Sequence, residues 1–134
     1  MKPSMLDTDI LSEFLRRNPS VVAKVDEHLR KYGAISLSII TYYEIMNGLL
    51  YKDAKKQFKR FNNFVKQNKV IPLTLRSAKK SAELFAELRK KGKEIGHTDT
   101  IIAGIAMTNK LQLITNNTNH FNRIKGLEID NWMQ

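Results

Sequence analysis

Cysteine is absent from the 134-residue sequence, and glycine and proline are sparse, with six and three residues. Without cysteine the chain cannot form disulfide bonds, zinc–thiolate sites or a cysteine nucleophile, which agrees with a reducing cytoplasm. No histidine pair has the spacing of a zinc site, and neither a glycine-rich phosphate loop nor a Gly-x-Ser-x-Gly motif occurs. Several common enzyme classes are thereby excluded.

Long uninterrupted apolar runs are absent as well. Residues 1–4 lead directly into the first predicted strand, which leaves no room for the apolar stretch of a signal peptide. The longest apolar-rich run, residues 34–51, contains Glu44 and Asn47, so it predicts a buried strand and helix rather than a membrane span. We therefore expect a cytoplasmic protein without membrane contact, formed by one domain over residues 1–134.

Acidic residues are fewer than basic ones, and the basic excess is confined to the middle of the chain. The net charge is +10. Residues 52–93 carry fourteen Lys or Arg against three acids, whereas the remainder carries nine basic and ten acidic residues. Such a segment is typical of a protein that binds a polyanion, most simply nucleic acid. A solvated, lysine-rich helix face is the alternative interpretation.

Predicted strands alternate with predicted helices along the chain. The strands are predicted over residues 4–6, 34–37, 70–73, 111–115 and 127–129, and the helices over residues 9–17, 20–32, 39–51, 54–67, 76–90 and 98–108. Strands separated by helices form βαβ units. The pattern predicts an α/β fold with a small, mainly parallel sheet of four to five strands flanked by helices.

Three local predictions concern the helices. Thr98 is expected to cap the helix over residues 98–108, and His28 is expected on an exposed face of the second helix. The apolar spacing of the 76–90 helix predicts a buried face made of Ala78, Ala82, Phe85 and Leu88.

Three carboxylates stand among apolar residues, where an acid is costly to bury. Asp7 follows the first strand, Glu44 lies inside a helix, and Asp99 is in the first turn of another. No Lys or Arg lies within four residues of Glu44, or within the four residues after Asp99. A buried carboxylate must be paired, protonated or bound to a metal. One interpretation is therefore that these carboxylates share a bound cation. Since ligands bind beyond the carboxyl ends of parallel strands, Asp7 and Asn117 are expected at one sheet edge.

Each of these residues also has a structural interpretation. Asp7 suits a turn at a strand end, and Asp9 and Asp99 suit the first turn of a helix, where acids complement the helix dipole. Glu44 has no capping role, so its structural alternative is a hydrogen bond to a buried backbone group or hydroxyl. His97, two residues before Asp99, could touch a substrate, with loop surface as its alternative.

Four segments occur in the order and spacing of a known family. They read MLDTDIL at residues 5–11, ITYYEI at residues 40–45 followed by Gly48, IGHTDTIIA at residues 95–103 and LITNNTNHF at residues 113–121. Together they resemble the PIN-domain ribonucleases and, more narrowly, the VapC-type toxins of bacterial toxin–antitoxin pairs. Each motif is weak alone, but the ordered set of four is specific and spans nearly the whole chain.

The resemblance implies a catalytic set of Asp7, Glu44, Asp99 and Asn117 in a PIN-like fold. The three acids would hold Mg²⁺, for which Mn²⁺ can substitute. Thr8, Asp9 and Asn117 would orient water or phosphate, and cations of the middle segment would hold RNA. Many PIN domains place a fourth acid where Asn117 stands, and a neutral amide holds a second cation less strongly, so the number of metal ions stays open.

The resemblance also implies partners. The substrate is RNA, often a tRNA, and such toxins are usually homodimers. A VapB-type antitoxin commonly wraps the toxin and blocks the pocket. The resulting hetero-oligomer binds operator DNA through the antitoxin.

Two rival functions are left open by the sequence. Asp7-x-Asp9 after a strand resembles phosphotransferases of the haloacid-dehalogenase type, but Leu11 stands where those enzymes have Thr or Val, and their later acidic pair near a Lys is absent. The other rival is a catalytically silent domain that binds nucleic acid or a partner protein. The missing fourth acid at Asn117 is what favours it. The role of His120 is not predicted.

Overall fold

The computed structural model describes residues 1–133, in which five parallel strands form one sheet between helices. The strands are β1 (Ser4–Leu6), β2 (Ser36–Ser38), β3 (Lys69–Ile71), β4 (Gln112–Ile114) and β5 (Ile129–Asp130). The helices are α1 (Thr8–Leu15), α2 (Pro19–Tyr32), α3 (Ile39–Lys52), α4 (Lys55–Gln67), α5 (Leu75–Lys90), α6 (His97–Thr108) and α7 (Thr118–Phe121). The predicted α/β fold with a small parallel sheet is confirmed, and α7 is an additional short helix inside the Asn-rich segment.

The strand order is β3-β2-β1-β4-β5, and every neighbouring pair is parallel. The chain moves outward from β1 through β2 to β3, then crosses back to place β4 on the other side of β1. In an open parallel sheet, such a reversal creates a crevice beyond the carboxyl ends of the two strands that flank it. The residues that follow β1 and β4 therefore define the binding edge.

Strands β1 and β4 are buried on both faces. Since successive side chains of a strand point in opposite directions, each strand contributes to two hydrophobic clusters. Met5 and Leu113 face one hydrophobic cluster, formed with α5, α6 and α7. Leu6 and Ile114 face the other, formed with α1 to α4. Each such fully buried side chain contributes about 2 kcal/mol relative to an exposed one. This double burial holds the end of β1 in a fixed position.

Helix α3 begins immediately at the end of β2. The Ser38 hydroxyl accepts a hydrogen bond from the Thr41 amide at 3.0 Å and so satisfies one of the free N–H groups of the first turn. With no loop between the strand and the helix, Glu44 lies one to two turns from the binding edge of the sheet.

The predictions for Thr98 and His28 are wrong. Helix α6 begins at His97, with Gly96 as its N-cap and no capping hydrogen bond from a side chain. The His28 side chain is 2% exposed, and its Nε2 accepts the Ser4 amide hydrogen at 3.1 Å. The contact partner of His28 is thus a strand 24 residues earlier, which the local helical pattern does not show.

The predicted buried face of α5 is also wrong, except at Leu88. The buried residues are Ser77, Ser81, Leu84 and Leu88, whereas Ala82 is exposed and Ala78 and Phe85 are half-buried. The physical reason lies in α6, where Gly104 allows close approach. A Cβ atom added at Gly104 would lie 1.9 Å from the Ser81 hydroxyl oxygen, so the serine occupies the space that a side chain would need.

The close contact between Ser81 and Gly104 leaves other apolar residues of α5 uncovered. These residues line an open groove of about 630 Å³ along α5 and α6. Its walls include Ala78, Ala82, Phe85 and Ile101, and the His97 ring stacks on Phe85 with 4.1 Å between ring centres. Within residues 1–133, no helix has the length and apolar character needed to cross a membrane.

Candidate active site

Asp7 directly follows the central strand β1 and is the N-cap of α1. Its Oδ1 accepts the Thr8 amide hydrogen, and its Oδ2 accepts the Thr115 hydroxyl hydrogen, both at 2.8 Å. The side chain is 5% exposed. Burial is the main reason why the pKa of Asp7 rises to about 7, and the negative charges of Asp9 and Asp99 raise it further.

Asp9 is the second residue of α1 and points to the same edge. Its Oδ2 accepts the Asn116 amide hydrogen at 3.0 Å, and its Oδ1 accepts the Ile10 amide hydrogen at 2.7 Å. Burial raises the pKa of Asp9 despite these hydrogen bonds, and the charge of Asp99 adds to the effect. Asp7, Asp9 and Asp99 therefore form one electrostatically coupled acidic pocket.

Asp99 reaches this pocket from the first turn of α6. Its Oδ2 lies 3.4 Å from the side-chain nitrogen of Asn117 and 3.5 Å from Nδ1 of His120. Asn117 and His120 follow β4, so the segment after β4 meets both α6 and the segment after β1. Sequence reasoning proposed Asn117 for the site but assigned no role to His120 or Thr115. Thr115 was predicted only as the last residue of a strand, and His120 only as part of the Asn-rich segment that follows it.

Glu44 stands at the margin of the pocket rather than among the three aspartates. Its Oε1 accepts the Thr8 hydroxyl hydrogen at 2.6 Å, and the Thr8 hydroxyl lies 3.0 Å from that of Thr41. The structure therefore connects Glu44 to the pocket through Thr8, and it forms the hydroxyl contact that was the structural alternative for Glu44.

Cations do not neutralise these acids. Among the residues that the structure describes, no Lys or Arg forms an ion pair with Asp7, Asp9, Glu44 or Asp99. Two basic side chains, Arg16 and Lys52, line a small cleft of about 90 Å³ beside Thr8 and Glu44. A negatively charged, partly desolvated pocket with cations at its margin can bind a metal ion and an anionic substrate together.

The PIN domain family matches residues 4–127 of the chain. Ribonuclease VapC2 of Rickettsia felis is 31% identical over 129 residues and the alignment covers 96% of both chains. The tRNA(fMet)-specific endonuclease VapC of Shigella flexneri is 31% identical over 134 residues, again with 96% of both chains covered.

Two solved structures contain a chain with the same fold as this one. The VapBC2 complex of Rickettsia felis, bound to a promoter DNA fragment, contains a chain with a TM-score of 0.86 and 29% identity, covering 96% of this chain and 98% of that one. DNA-bound VapBC from Salmonella typhimurium gives a TM-score of 0.88 and 27% identity, with 98% and 99% covered. The chain therefore belongs to the PIN-domain family. Its full-length relatives are VapC ribonucleases, which confirms the predicted family and the predicted nuclease class.

Proposed function

We propose that the protein is the endoribonuclease toxin of a toxin–antitoxin pair, formed by one catalytic domain whose acidic pocket uses Mg²⁺, with Mn²⁺ as a substitute. One observation carries this proposal. Asp7 is nearly inaccessible to solvent, has a strongly raised pKa, and shares its pocket with two further aspartates and no cation. Without a ligand this repulsion is relieved only by protonation of Asp7, whereas a bound cation lets all three carboxylates stay ionised.

The donor set fits a hard divalent cation. Carboxylate oxygens from Asp7, Asp9 and Asp99 are the ligands that Mg²⁺ and Mn²⁺ prefer. Within residues 1–133, no three His, Cys, Asp or Glu side chains are gathered closely enough to form a ready-made metal cluster. Mg²⁺ usually keeps several of its water molecules and is held by one or two carboxylates together with substrate phosphates, so this open arrangement suits a hydrated ion. Glu44 would contact the ion through one of its water molecules.

The chain's own residues would then position the reacting groups. When bound, a divalent cation supplies a water of lowered pKa and offsets charge on the phosphate. Asp7 must be ionised to serve as a ligand, and hydrogen bonds from Thr8 and Thr115 hold its two oxygens in place. Thr8 is itself oriented by Glu44, so its hydroxyl is fixed at the pocket margin.

Basic side chains near the pocket support RNA as the substrate. Lys52 opens the basic segment and lines the cleft next to Glu44, together with Arg16, which lies outside that segment. Both would contact backbone phosphates of an RNA strand that passes this cleft. Arg60 belongs to the same basic segment but donates to the Leu15 carbonyl, so its role is structural.

Exposed apolar surfaces support protein partners. Tyr43, Leu50 and Tyr51 project from the outer side of α3, and the apolar groove between α5 and α6 is open. Apolar patches of this kind mark protein–protein contacts. We include in the proposal a homodimer, a VapB-type antitoxin that neutralises the toxin, and a hetero-oligomer that reaches operator DNA through that antitoxin. The VapBC complexes among the structural relatives support it.

The test is cleavage of a mixed RNA substrate by the purified chain with Mg²⁺, with Mn²⁺ and with EDTA. Asp7→Asn and Asp99→Asn are each expected to lower the rate by at least about 100-fold, because a lost ligand removes several kcal/mol of transition-state stabilisation. Asp26→Asn, at an exposed position of α2, is the matched control and should cleave normally. Undiminished cleavage by both pocket variants would overturn the assignment. Metal binding without any RNA cleavage would favour the silent binding domain.

A further inference from the structure

Asn117 and His120 form a hydrogen-bonded unit beside Asp99. Asn117 is the N-cap of α7, and its backbone carbonyl accepts the His120 amide hydrogen at 3.2 Å. The two side chains meet again, since Asn117 Nδ2 lies 2.9 Å from His120 Nδ1. The same nitrogen lies 3.4 Å from Asp99 Oδ2. One amide group therefore touches both an imidazole and a carboxylate of the pocket.

These contacts determine which way the Asn117 amide faces. Its nitrogen carries two hydrogens, and each has an acceptor, one on His120 and one on Asp99. Turning the amide over would place its oxygen 3.4 Å from the Asp99 oxygen, where two negatively polarised atoms repel. The observed orientation leaves Oδ1 free of both partners, and no residue in the range 1–133 donates a hydrogen bond to it.

The same contact gives the imidazole its role. An amide nitrogen can only donate, so His120 Nδ1 is the acceptor in this hydrogen bond. The direct approach of Nδ1 to Asp99 is 3.5 Å, clearly longer than the 2.9 Å to Asn117. The amide, rather than the carboxylate, is thus the main partner of His120.

We propose that His120 is a positioning residue that acts through Asn117. By accepting one amide hydrogen, it holds the Asn117 nitrogen toward Asp99 and leaves the amide oxygen available as a neutral ligand for the cation or its water. The inference rests on the proposed function. It explains how an amide can serve at a position where many PIN domains carry a fourth acid.

The experiment is titration of the metal-free protein with Mn²⁺ by calorimetry. His120→Ala is expected to weaken Mn²⁺ binding by about 10-fold, as is usual when a ligand's supporting hydrogen bond is removed. Asn117→Ala removes the ligand itself and should weaken binding by at least as much. The double variant should bind no more weakly than Asn117→Ala alone, because His120 acts only through that amide. The His120 side chain is 43% exposed, so its removal leaves the core intact.

His120→Asn is the matched control, because the Asn oxygen occupies the place of Nδ1 and restores an acceptor. It should bind Mn²⁺ within about two-fold of the wild type. A second readout is the NMR signal of the Asn117 side-chain NH₂ group. The resonance of the proton that points to His120 should move upfield in His120→Ala and return toward its wild-type shift in His120→Asn.

Two results would overturn the role of His120. One is unchanged Mn²⁺ affinity in His120→Ala, and the other is a further loss of affinity when His120→Ala is added to Asn117→Ala. Failure of the proposed function would look different, because the wild type would then bind no Mn²⁺, or Asp7→Asn would bind it equally well.

Discussion

Replacing Asp7 by Asn is expected to stabilise the metal-free protein at alkaline pH while abolishing RNA cleavage. The carboxyl group is 5% exposed, and burial together with neighbouring negative charge raises its pKa from 3.8 to about 7. Asparagine removes the charge but keeps the shape of the side chain. Its oxygen can still accept the Thr8 amide hydrogen, as Oδ1 of the aspartate does.

The magnitude follows from the two pKa values. The folded protein keeps the Asp7 proton up to about pH 7, whereas the unfolded chain releases it near pH 4. Because the folded pKa is the higher one, the stability contributed by this group is present at low pH and is lost as the pH rises from 4 through 7. The loss amounts to about 4 kcal/mol at pH 8.

Asp7→Asn avoids that loss, but the Thr115 hydroxyl must turn because its carboxylate acceptor is gone. The rearrangement costs about 1–2 kcal/mol, which leaves a net gain of about 2 kcal/mol for the variant at pH 8. If Asp7 binds the metal ion, Asp7→Asn raises stability and abolishes RNA cleavage. If the carboxylate is purely structural, the substitution lowers stability.

The assay is urea unfolding in EDTA at pH 5, 6.5 and 8, for the wild type, Asp7→Asn and the exposed control Asp26→Asn. Addition of Mn²⁺ at 100 times its Kd should then stabilise the wild type at pH 8 by about 2.7 kcal/mol and leave Asp7→Asn unchanged. A variant less stable than the wild type at pH 8, with wild-type stability independent of pH, would refute the reasoning.

Three further outcomes are expected. Gly104→Ala should lower the free energy of unfolding by about 1–3 kcal/mol, because its Cβ would lie 1.9 Å from a serine oxygen of α5. Gly48→Ala has nothing within 4 Å of the added Cβ and should raise the free energy of unfolding by about 0.5–1 kcal/mol. Urea denaturation of both variants tests this. Burial lowers the pKa of His28, so this residue should reduce stability as the pH falls below 6.5, by up to about 1.4 kcal/mol per pH unit. His28→Gln, measured in the Asp7→Asn background to remove the opposite slope, should abolish that loss. Lys52→Glu should raise the KM for RNA and reduce its salt dependence while leaving Mn²⁺ affinity unchanged.

The parts of the fold that are predictable from the sequence depend on local patterns. β1 and Asp7 can be placed because a short apolar run ends at an acid, and the parallel sheet follows from strands that alternate with helices. Asp99 can be placed because it opens an apolar helix. The strand and helix centres need no knowledge of tertiary contacts, and these are the elements for which the prediction is confirmed.

The remaining features depend on which segments meet. The burial of Ser81 follows from Gly104 on another helix, and the burial of His28 follows from its hydrogen bond to β1. Glu44 contacts Thr8 across 36 residues, and Asn117 contacts Asp99 across 18. A single sequence contains no periodicity that reports such pairings, so the division between the three aspartates and the marginal Glu44 could not be predicted.

The order of strands in the sheet has a consequence during protein synthesis. The Asp7 carboxylate is held by Thr115, 108 residues later in the chain, and β1 pairs with β4 at the centre of the sheet. A growing chain that has not yet produced β4 can pair β1 on one side only, with β2, and its aspartate lacks the hydroxyl donor. The acidic pocket can therefore be completed only after most of the chain has been synthesised, because the late strand must first join the early one.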